Sequence, residues 1–353
     1  MNQHKVDQLA ERIINETNAA VSCLTLYLGH KLNLFNSLRR EGPITSEELA
    51  KKRKYSERYI REWLECMTAN DYIDYDPSTT KFSISEEHAK VLCDRDTSAY
   101  TIPFVYWIPN LSLAMDKLLE AFRTGEGIPY STYGRELLFA QGEGNRPMFI
   151  NDIPRWISSL PDIENKLKSQ GGRILDVGCG DGWASIALAK SFPQVKIDAI
   201  DVDSSSINNA SKNIQEAGLA DRISVHANPI EKAPLREKYD LIMTFESIHD
   251  MAYPIEALRK MKDMVSENNG AVLVGDVKMK DKLEEKNDFA GRLYYNFSVL
   301  ICLPQSMEYP NSEATGAAMT PSTFRKYAKQ AGFSRVETLP IEHFIWQFYR
   351  LTI

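Results

Sequence analysis

The sequence predicts an α/β protein in which a helical region with one β-hairpin precedes a parallel sheet covered by helices on both faces. In the first part of the chain, apolar residues recur at helical spacing, as they do from Val21 to Leu38. Beyond Gly171, short apolar runs typical of buried strands alternate with helical stretches, as such a sheet requires. We therefore predict a helical domain over residues 1–95, an aromatic-rich helical linker and lid over 96–165, and an α/β domain over 166–353.

The composition is that of an ordinary globular protein, with 43% apolar and 25% charged residues in a chain of 353. The net charge of −6 is spread without long runs of one sign, which disfavours nucleic acid and anionic lipid as partners and favours a small molecule. The five cysteines are odd in number and never form a C-x-x-C pair, so that neither a disulfide framework nor a metal site is predicted. No segment has the pattern of a secretion signal or the length of a membrane span. A cytoplasmic protein is expected.

The first domain has the element order of a winged helix. One helix is predicted within Val21–Leu38, and another follows the capping-box pattern Thr45–Glu48. A third helix is predicted to begin near Ser56. The segments Tyr72–Tyr75 and Lys81–Ile84 alternate in polarity on either side of a turn and predict a two-stranded wing.

The charges of this winged helix argue against DNA binding. Residues 42–92 contain eight Lys or Arg against ten Asp or Glu. The predicted recognition helix, Tyr59–Met67, carries Glu62 and Glu65, which would repel phosphate groups. Dimerisation and a purely intramolecular role are the alternatives, and the apolar segment Val21–Leu38 is a candidate dimer surface.

Five buried strands are predicted in the α/β domain, followed by one helix and two strand-like runs that can pair antiparallel. The predicted strands are Arg173–Val177, Lys196–Asp201, Ile223–His226, Asp240–Thr244 and Ala271–Val274. The terminal elements are the helix Pro321–Ala331 and the runs Ser334–Thr338 and Phe344–Leu351.

A glycine-rich turn follows the first of these strands. Gly178, Gly180 and Gly182 let the backbone approach a ligand closely, because glycine has no side chain and tolerates positive φ. A dinucleotide site would require G-x-G-x-x-G and a turn that binds phosphate, whereas Asp176 precedes these glycines and would repel phosphate. The turn therefore favours a cationic ligand over a dinucleotide.

The run Asp176–Gly182 resembles the first motif of class I S-adenosylmethionine-dependent methyltransferases, an acid followed by G-x-G-x-G. The resemblance implies a Rossmann-like domain whose seven-stranded sheet ends in an antiparallel hairpin, and it implies S-adenosyl-L-methionine as the cofactor. It also implies that Asp176 faces the amino group of the cofactor's methionine part, which the turn with Gly178 and Gly180 accommodates.

The same resemblance implies the other cofactor contacts. Asp201 closes the second strand, where the family has a carboxylate that accepts from both ribose hydroxyls. Asn228 stands where many relatives have an aspartate that accepts from the adenine amino group, and an asparagine can accept through its carbonyl. Val202 and Phe245 are further implied contacts of the cofactor.

His249 lies just past the fourth strand, at the carboxyl edge of the sheet where ligands bind. Histidine is suited to act as a base near neutral pH. The surrounding stretch resembles the winged-helix O-methyltransferases of plant phenolics, bacterial polyketides and hydroxyindoles, which have a His-Asp pair here. The resemblance implies that His249 is the catalytic base, that Asp250 completes the pair and that Asp276 orients the histidine. The alternative is a loop histidine that stabilises its turn through Asp250.

The acceptor is expected to be a small molecule. Within an insertion from Lys278 to Met319, the run Gly291–Ser298 resembles a group of bacterial winged-helix methyltransferases, one of them mycobacterial, that brings no acceptor with it. Arg292 is a candidate to bind an acidic acceptor, with Tyr133 and Tyr295 shaping the pocket. A surface salt bridge is the alternative for Arg292.

The function predicted from these residues is methyl transfer to a hydroxyl group with His249 as general base. The family resemblance further implies a homodimer formed through the N-terminal domain. Two other functions stay open: an S- or N-methyltransferase that needs no base, and a winged-helix regulator or ligand sensor with a methyltransferase-like domain.

Overall fold

The computed structural model describes residues 1–285 and 288–353, which form two compact units. The first unit consists of residues 1–113 and 133–148, and the second consists of residues 114–132 and 149–353. The region 96–165, predicted as a linker and lid, thus contributes to both units. Residues 286 and 287, which belong to the predicted insertion, lie outside the described residues.

The first unit is a helical domain with a two-stranded wing, as the sequence predicts. Its elements are α1 (Gln3–Lys31), α2 (Leu34–Glu41), α3 (Ser46–Arg53), α4 (Glu57–Ala69), β1 (Asp74–Asp76), β2 (Lys81–Ser83), α5 (Glu86–Leu92) and α6 (Trp107–Ser112). The predicted capping box begins α3: the Thr45 N–H donates to the Glu48 carboxylate at 3.0 Å, and the Glu48 N–H donates to the Thr45 hydroxyl at 3.3 Å. β1 and β2 pair antiparallel to form the wing.

The core of the first unit lies between α2, α3 and α4. Leu34, Leu38, Leu49 and Leu64 are at most 1% exposed there. Burying each such side chain contributes roughly 1.5–3 kcal/mol to stability. Because Leu34 and Leu38 belong to this core, the dimer surface predicted over Val21–Leu38 is wrong for its second half.

The first five turns of α1 are exposed on every side. Residues 1–19 are all exposed, and apolar side chains recur along the helix at spacings of mostly three and four residues. The exposed apolar side chains of α1 are Val6, Leu9, Ile13, Ile14, Val21, Leu24 and Leu28. A solvated helix of this length is marginal by itself, so a surface that covers its apolar side chains would stabilise it.

The second unit has the predicted parallel sheet with an antiparallel edge. Its strands are β3 (Gly172–Val177), β4 (Val195–Asp201), β5 (Ile223–Ala227), β6 (Leu241–Phe245), β7 (Ala271–Val277), β8 (Arg335–Thr338) and β9 (Trp346–Thr352). They lie in the order β5-β4-β3-β6-β7-β9-β8, in which the first five are parallel and β9 runs antiparallel to β7 and β8. The direction of strand addition reverses between β3 and β6, and folds of this kind bind ligands beside such a switch point.

Helices cover both faces of this sheet and fill the predicted insertion. They are α7 (Met115–Thr124), α9 (Pro161–Gln170), α10 (Trp183–Ser191), α11 (Ser204–Glu216), α12 (Pro254–Met264), α13 (Phe289–Phe297), α14 (Leu303–Ser306) and α15 (Pro321–Gln330). A long helix, α8 (Arg135–Ser158), begins in the first unit and ends in the second. A π-helical turn, Ser298–Cys302, joins α13 to α14. Among residues 1–285 and 288–353, every helix is too short or too polar to cross a bilayer.

Candidate active site

The turn after β3 has the backbone conformation that its glycines favour. Gly178, Gly180 and Gly182 have φ values of 72°, 50° and 79°. The N–H groups of Gly178 and Cys179 donate to the Ile200 carbonyl of β4 at 2.9 and 3.1 Å, which holds the turn against the neighbouring strand. A Cβ placed on Gly180 would meet no atom of the described residues within 4 Å. Open space therefore lies over the turn, where a ligand can approach its backbone.

Asp201, at the end of β4, lies beside this turn. Its carboxylate accepts from the N–H groups of Gly180 and Asp203, each at 2.9 Å. Burial raises the pKa of Asp201 above its ordinary value, although the hydrogen bonds from Asp203 and Gly180 oppose the rise. The next residue, Val202, is 66% exposed, which leaves an apolar surface beside the carboxylate. This pairing suits a diol attached to a flat apolar ring.

Asp176 is buried in β3 at 1% exposure and accepts from the Ser185 hydroxyl of α10 at 2.7 Å. Burial raises the pKa of Asp176 to about 7; the hydrogen bond from Ser185 opposes the rise, and the charge of Asp201 adds to it. Two carboxylates whose charged forms are disfavoured thus stand at one edge of the sheet. A cationic ligand would stabilise the charged form of both.

The other two predicted cofactor contacts lie at the ends of β5 and β6, which β4 and β3 separate in the sheet. Asn228 is partly buried and follows β5. Phe245 ends β6 and lies in a cluster of aromatic rings, where it stacks on Trp346 with ring centroids 5.9 Å apart. Both residues stand at the carboxyl edge of the sheet, and their contact with a cofactor stays a prediction.

The sequence-predicted pair of His249 and Asp276 is in direct contact. His249 is 2% exposed, and its Nδ1 lies 2.5 Å from Oδ1 of Asp276, which ends β7 with Val277. Asp276 in turn accepts from the N–H groups of Ile248 at 3.0 Å and Val277 at 2.7 Å. Since a carboxylate only accepts, Nδ1 carries the proton and Nε2 is the ring atom left for another partner.

A second carboxylate flanks the other side of the imidazole. Oδ1 of Asp250 lies 3.4 Å from Nε2 of His249. Burial alone would lower the pKa of His249, but the charges of Asp250 and Asp276 and the hydrogen bond with Asp276 outweigh it and hold the pKa well above its ordinary value. The two carboxylates therefore stabilise the imidazolium that forms when His249 takes up a proton.

Cys302, which sequence reasoning missed as a site residue, lies beside this pair. Its sulfur and the nearest ligand atoms of His249 and Asp250 all lie within 4.8 Å of one another. Burial, with the charge of Asp250, raises the pKa of the Cys302 thiol to about 12. The thiol is therefore protonated at neutral pH. No local pattern signals this contact, because the whole of β7 and part of the insertion separate Cys302 from His249 in the chain.

Glu246 and Tyr294 also belong to this region without having been predicted. Glu246 follows β6 with a φ of 50°, a conformation that is uncommon for residues other than glycine and that clusters at functional sites. The Tyr294 hydroxyl donates to Oε1 of Glu246 at 3.3 Å, and the ring centroids of Tyr294 and His249 are 6.4 Å apart. The position of Glu246 directly after a strand was the one signal in the sequence that pointed to it.

The predicted acceptor-binding residues are divided between the two units. Tyr133 belongs to the first unit and is fully buried. Arg292 and Tyr295 lie on α13 in the second unit, where Arg292 is exposed and Tyr295 is partly buried. A pocket formed by these three residues stays a prediction.

Two family models match the chain in separate regions. An Rv2258c-like winged HTH domain matches residues 19–94, and a methyltransferase domain matches residues 168–331. These matches agree with the wing of the first unit and with the strand order of the second. The chain therefore combines a winged-helix fold with the Rossmann-like fold of class I methyltransferases, as the sequence predicts.

Similar proteins include enzymes named as methyltransferases. The malonyl-[acyl-carrier protein] O-methyltransferase of Priestia megaterium is 36% identical over 90 residues, which span 25% of this chain and only 31% of that protein. Human N-acetylserotonin methyltransferase, solved in complex with SAM, covers 97% of both chains with a TM-score of 0.72 and 16% identity. The mitomycin 7-O-methyltransferase MmcR covers 99% of both chains with a TM-score of 0.69 and 17% identity. At such identities the two structures share the fold of this chain.

Replacing Asp176 by Asn should flatten the dependence of stability on pH. An unfolded aspartate ionises near its ordinary pKa of 3.8, whereas the folded Asp176 keeps its proton up to about pH 7. Because the folded state then binds more protons, the free energy of unfolding falls as the pH rises from about 4 to about 7. Urea unfolding across this range should show that fall in the wild type and a smaller one in Asp176→Asn. The exposed Asp221→Asn is the control, and an unchanged slope in Asp176→Asn would contradict the buried, protonated state.

Proposed function

We propose that this chain is an S-adenosyl-L-methionine-dependent methyltransferase that methylates a hydroxyl group of a small molecule. The observation that carries the proposal is the buried His249–Asp276 pair at the same sheet edge as the glycine turn after β3. The turn and the histidine are neighbours, since a Cβ on Gly178 would come within 2.8 Å of the hydroxyl of Ser247, two residues before His249. His249, the candidate base, and the glycine turn therefore lie on the two sides of the switch point between β3 and β6.

The residues at the strand ends fit the parts of this cofactor. Asp176 and the glycine turn bind the methionine end, whose ammonium charge offsets the cost of ionising a buried carboxylate. Asp201 accepts from the ribose hydroxyls, and the exposed Val202 packs against the adenine ring. Asn228 accepts from the adenine amino group through its side-chain carbonyl. The bound cofactor supplies a methyl group on a positively charged sulfur.

The His249–Asp276 pair prepares the acceptor. In its neutral form, His249 would take the proton of the acceptor hydroxyl at Nε2. A cofactor held by Asp176 and Asp201 would supply the methyl group to the acceptor oxygen and would leave as S-adenosylhomocysteine. Asp276 and Asp250 would stabilise the resulting imidazolium until its proton leaves to solvent. Asp276 also holds the ring in the tautomer whose Nε2 can accept a proton. An in-line displacement requires that the base and the acceptor be close and aligned, and this contact fixes the position of the base.

The names of similar proteins support oxygen as the accepting atom. The relative from Priestia megaterium and MmcR are both named as O-methyltransferases. Those names describe the other proteins, and we give MmcR the greater weight because its match spans 99% of both chains. Within the second unit, Arg292 and Tyr295 are the proposed contacts of the acceptor.

A DNA-binding regulator is less well supported than an enzyme. On α4, the predicted recognition helix, Arg58 forms an ion pair with Glu62 and Arg61 forms one with Glu57. These pairs neutralise cations that would otherwise contact phosphate groups. The winged helix serves instead to form a homodimer, and the exposed apolar row of α1 is the surface we assign to the second copy. The five free cysteines agree with a cytoplasmic location.

Cofactor binding tests the proposal first. Calorimetric titration of the wild type with S-adenosylmethionine and S-adenosylhomocysteine should give micromolar dissociation constants. Asp201→Ala should weaken both by at least about tenfold, because it removes charge-assisted hydrogen bonds to the ribose. Asp221→Ala, a change at an exposed carboxylate of the same unit, should bind as the wild type does. No heat from the wild type would overturn the proposal.

His249→Gln tests whether the reaction needs a base. With a phenolic acceptor, kcat/KM should fall by about 10²–10⁴-fold, because glutamine cannot take up the proton. With a thiol acceptor, which ionises more readily, the loss should be small. His226→Gln is the matched control, since His226 also pairs with an aspartate, Asp198, at 3.0 Å within the same sheet. Turnover of a phenol by His249→Gln within about twofold of the wild type would refute a role as base.

The state of association tests the assigned role of α1. Sedimentation of the wild type should give the mass of two chains, and Ile13→Glu should give the mass of one, because a charge replaces an apolar side chain within the row. Arg12→Glu, on the same exposed turn, is the control and should stay dimeric. A monomeric wild type, or a dimer that Ile13→Glu leaves intact, would contradict this interface.

A further inference from the structure

Three side chains of different chemistry converge at the inner end of the candidate active site. An imidazole nitrogen of His249, a carboxylate oxygen of Asp250 and the sulfur of Cys302 all lie within 4.8 Å of one another. His249 and Cys302 are buried, and Asp250 is partly buried. Nitrogen, sulfur and carboxylate oxygen together form the donor set that Zn²⁺ and Co²⁺ bind, whereas Mg²⁺ and Ca²⁺ prefer oxygen alone.

The histidine is oriented as a metal ligand would be. Its Nδ1 is bound to Asp276 at 2.5 Å, so Nε2 is the ring nitrogen that faces Asp250, and it is available to a metal once its proton has left. A histidine that ligates a metal through one nitrogen and donates to a carboxylate through the other is a recurring arrangement, because the carboxylate fixes the ring and raises its basicity. Asp276 is itself held by main-chain N–H groups of Ile248 and Val277.

The other two ligands lie close to Nε2 of His249. Oδ1 of Asp250 is buried and lies 3.4 Å from that nitrogen, and it accepts no hydrogen bond within residues 1–285 and 288–353. A cation bound to this oxygen would offset the cost of burying it without a hydrogen bond. Cys302 is the last residue of the π-helical turn Ser298–Cys302, and π turns are rare and occur frequently at functional sites.

We propose that His249, Asp250 and Cys302 form a binding site for a divalent transition-metal cation, with Zn²⁺ as the ion that fits the donors. Three protein ligands leave a fourth position for water. Binding forms a sulfur–metal bond and a nitrogen–metal bond, and it releases the thiol proton of Cys302 and the Nε2 proton of His249 to solvent. The metal takes Nε2 of His249, the atom that accepts the acceptor's proton, so metal binding and methyl transfer to a hydroxyl exclude each other. This inhibition rests on the proposed function, whereas the binding does not.

Cobalt titration tests the site without any acceptor or cofactor. The full chain, stripped with a chelator, is titrated with Co²⁺, and wild type should develop a thiolate-to-cobalt absorption band in the near ultraviolet. Cys302→Ser should lose the band, and Asp250→Asn should keep it while binding cobalt at least about tenfold more weakly. Cys93→Ser, a change at a partly buried cysteine of the first unit, should behave as wild type. Circular dichroism and melting curves check that each variant is folded.

The outcomes separate this proposal from the proposed function. A wild type without the band, or a folded Cys302→Ser that keeps it, overturns the site. The competition for Nε2 is supported if three results hold. Zn²⁺ inhibits methyl transfer by the wild type, a chelator reverses this inhibition, and Cys302→Ser is less sensitive to Zn²⁺ than the wild type is. If the cobalt band forms but saturating Zn²⁺ leaves methyl transfer undiminished, the metal binds without competing for Nε2, and that part of the proposal is overturned. Failure to find any methyl transfer leaves the cobalt result to decide the site alone.

Discussion

The hydrogen bond between His249 and Asp276 depends on the register of two parallel strands. β6 and β7 pair with Phe245 opposite Gly275, which brings the residues after β6 beside Asp276. A slip of one residue would turn Asp276 to the other face of the sheet and leave the imidazole without its partner. Gly275 helps to hold this register, because a Cβ there would come within 2.8 Å of the Phe245 ring.

Buried carboxylates set the electrostatic character of the whole sheet edge. Asp176 and Asp201 stand on one side of the switch point, and Asp250 and Asp276 stand on the other. Since burial removes the water that would otherwise stabilise negative charge, every cation that enters gains free energy from several of them. A sulfonium, an ammonium group, an imidazolium and a metal cation all meet this condition, whereas an anion would be repelled.

The fold and the glycine turn after β3 were predictable because their signals are local. The acid and the glycines of Asp176–Gly182 follow one strand directly, and buried strands are visible as short apolar runs. The contact of His249 with Cys302 joins distant segments, so no spacing in the sequence reports it. The second half of the dimer surface predicted over Val21–Leu38 was wrong for another reason: apolar residues at helical spacing look the same whether they face a core, as Leu34 and Leu38 of α2 do, or lie exposed, as Val21 of α1 does.

The π-helical turn that ends at Cys302 bears on how this chain can diverge from its relatives. A π turn contains one residue more than an α-helical turn, so it is equivalent to a single-residue insertion in an otherwise regular helix. Deleting that residue would let α13 run directly into α14 and would turn the side chains of α14 by about 100° about the helix axis relative to α13. A turn of that size would carry the Cys302 thiol away from the imidazole. The sulfur beside His249 therefore depends on one extra residue in this helix.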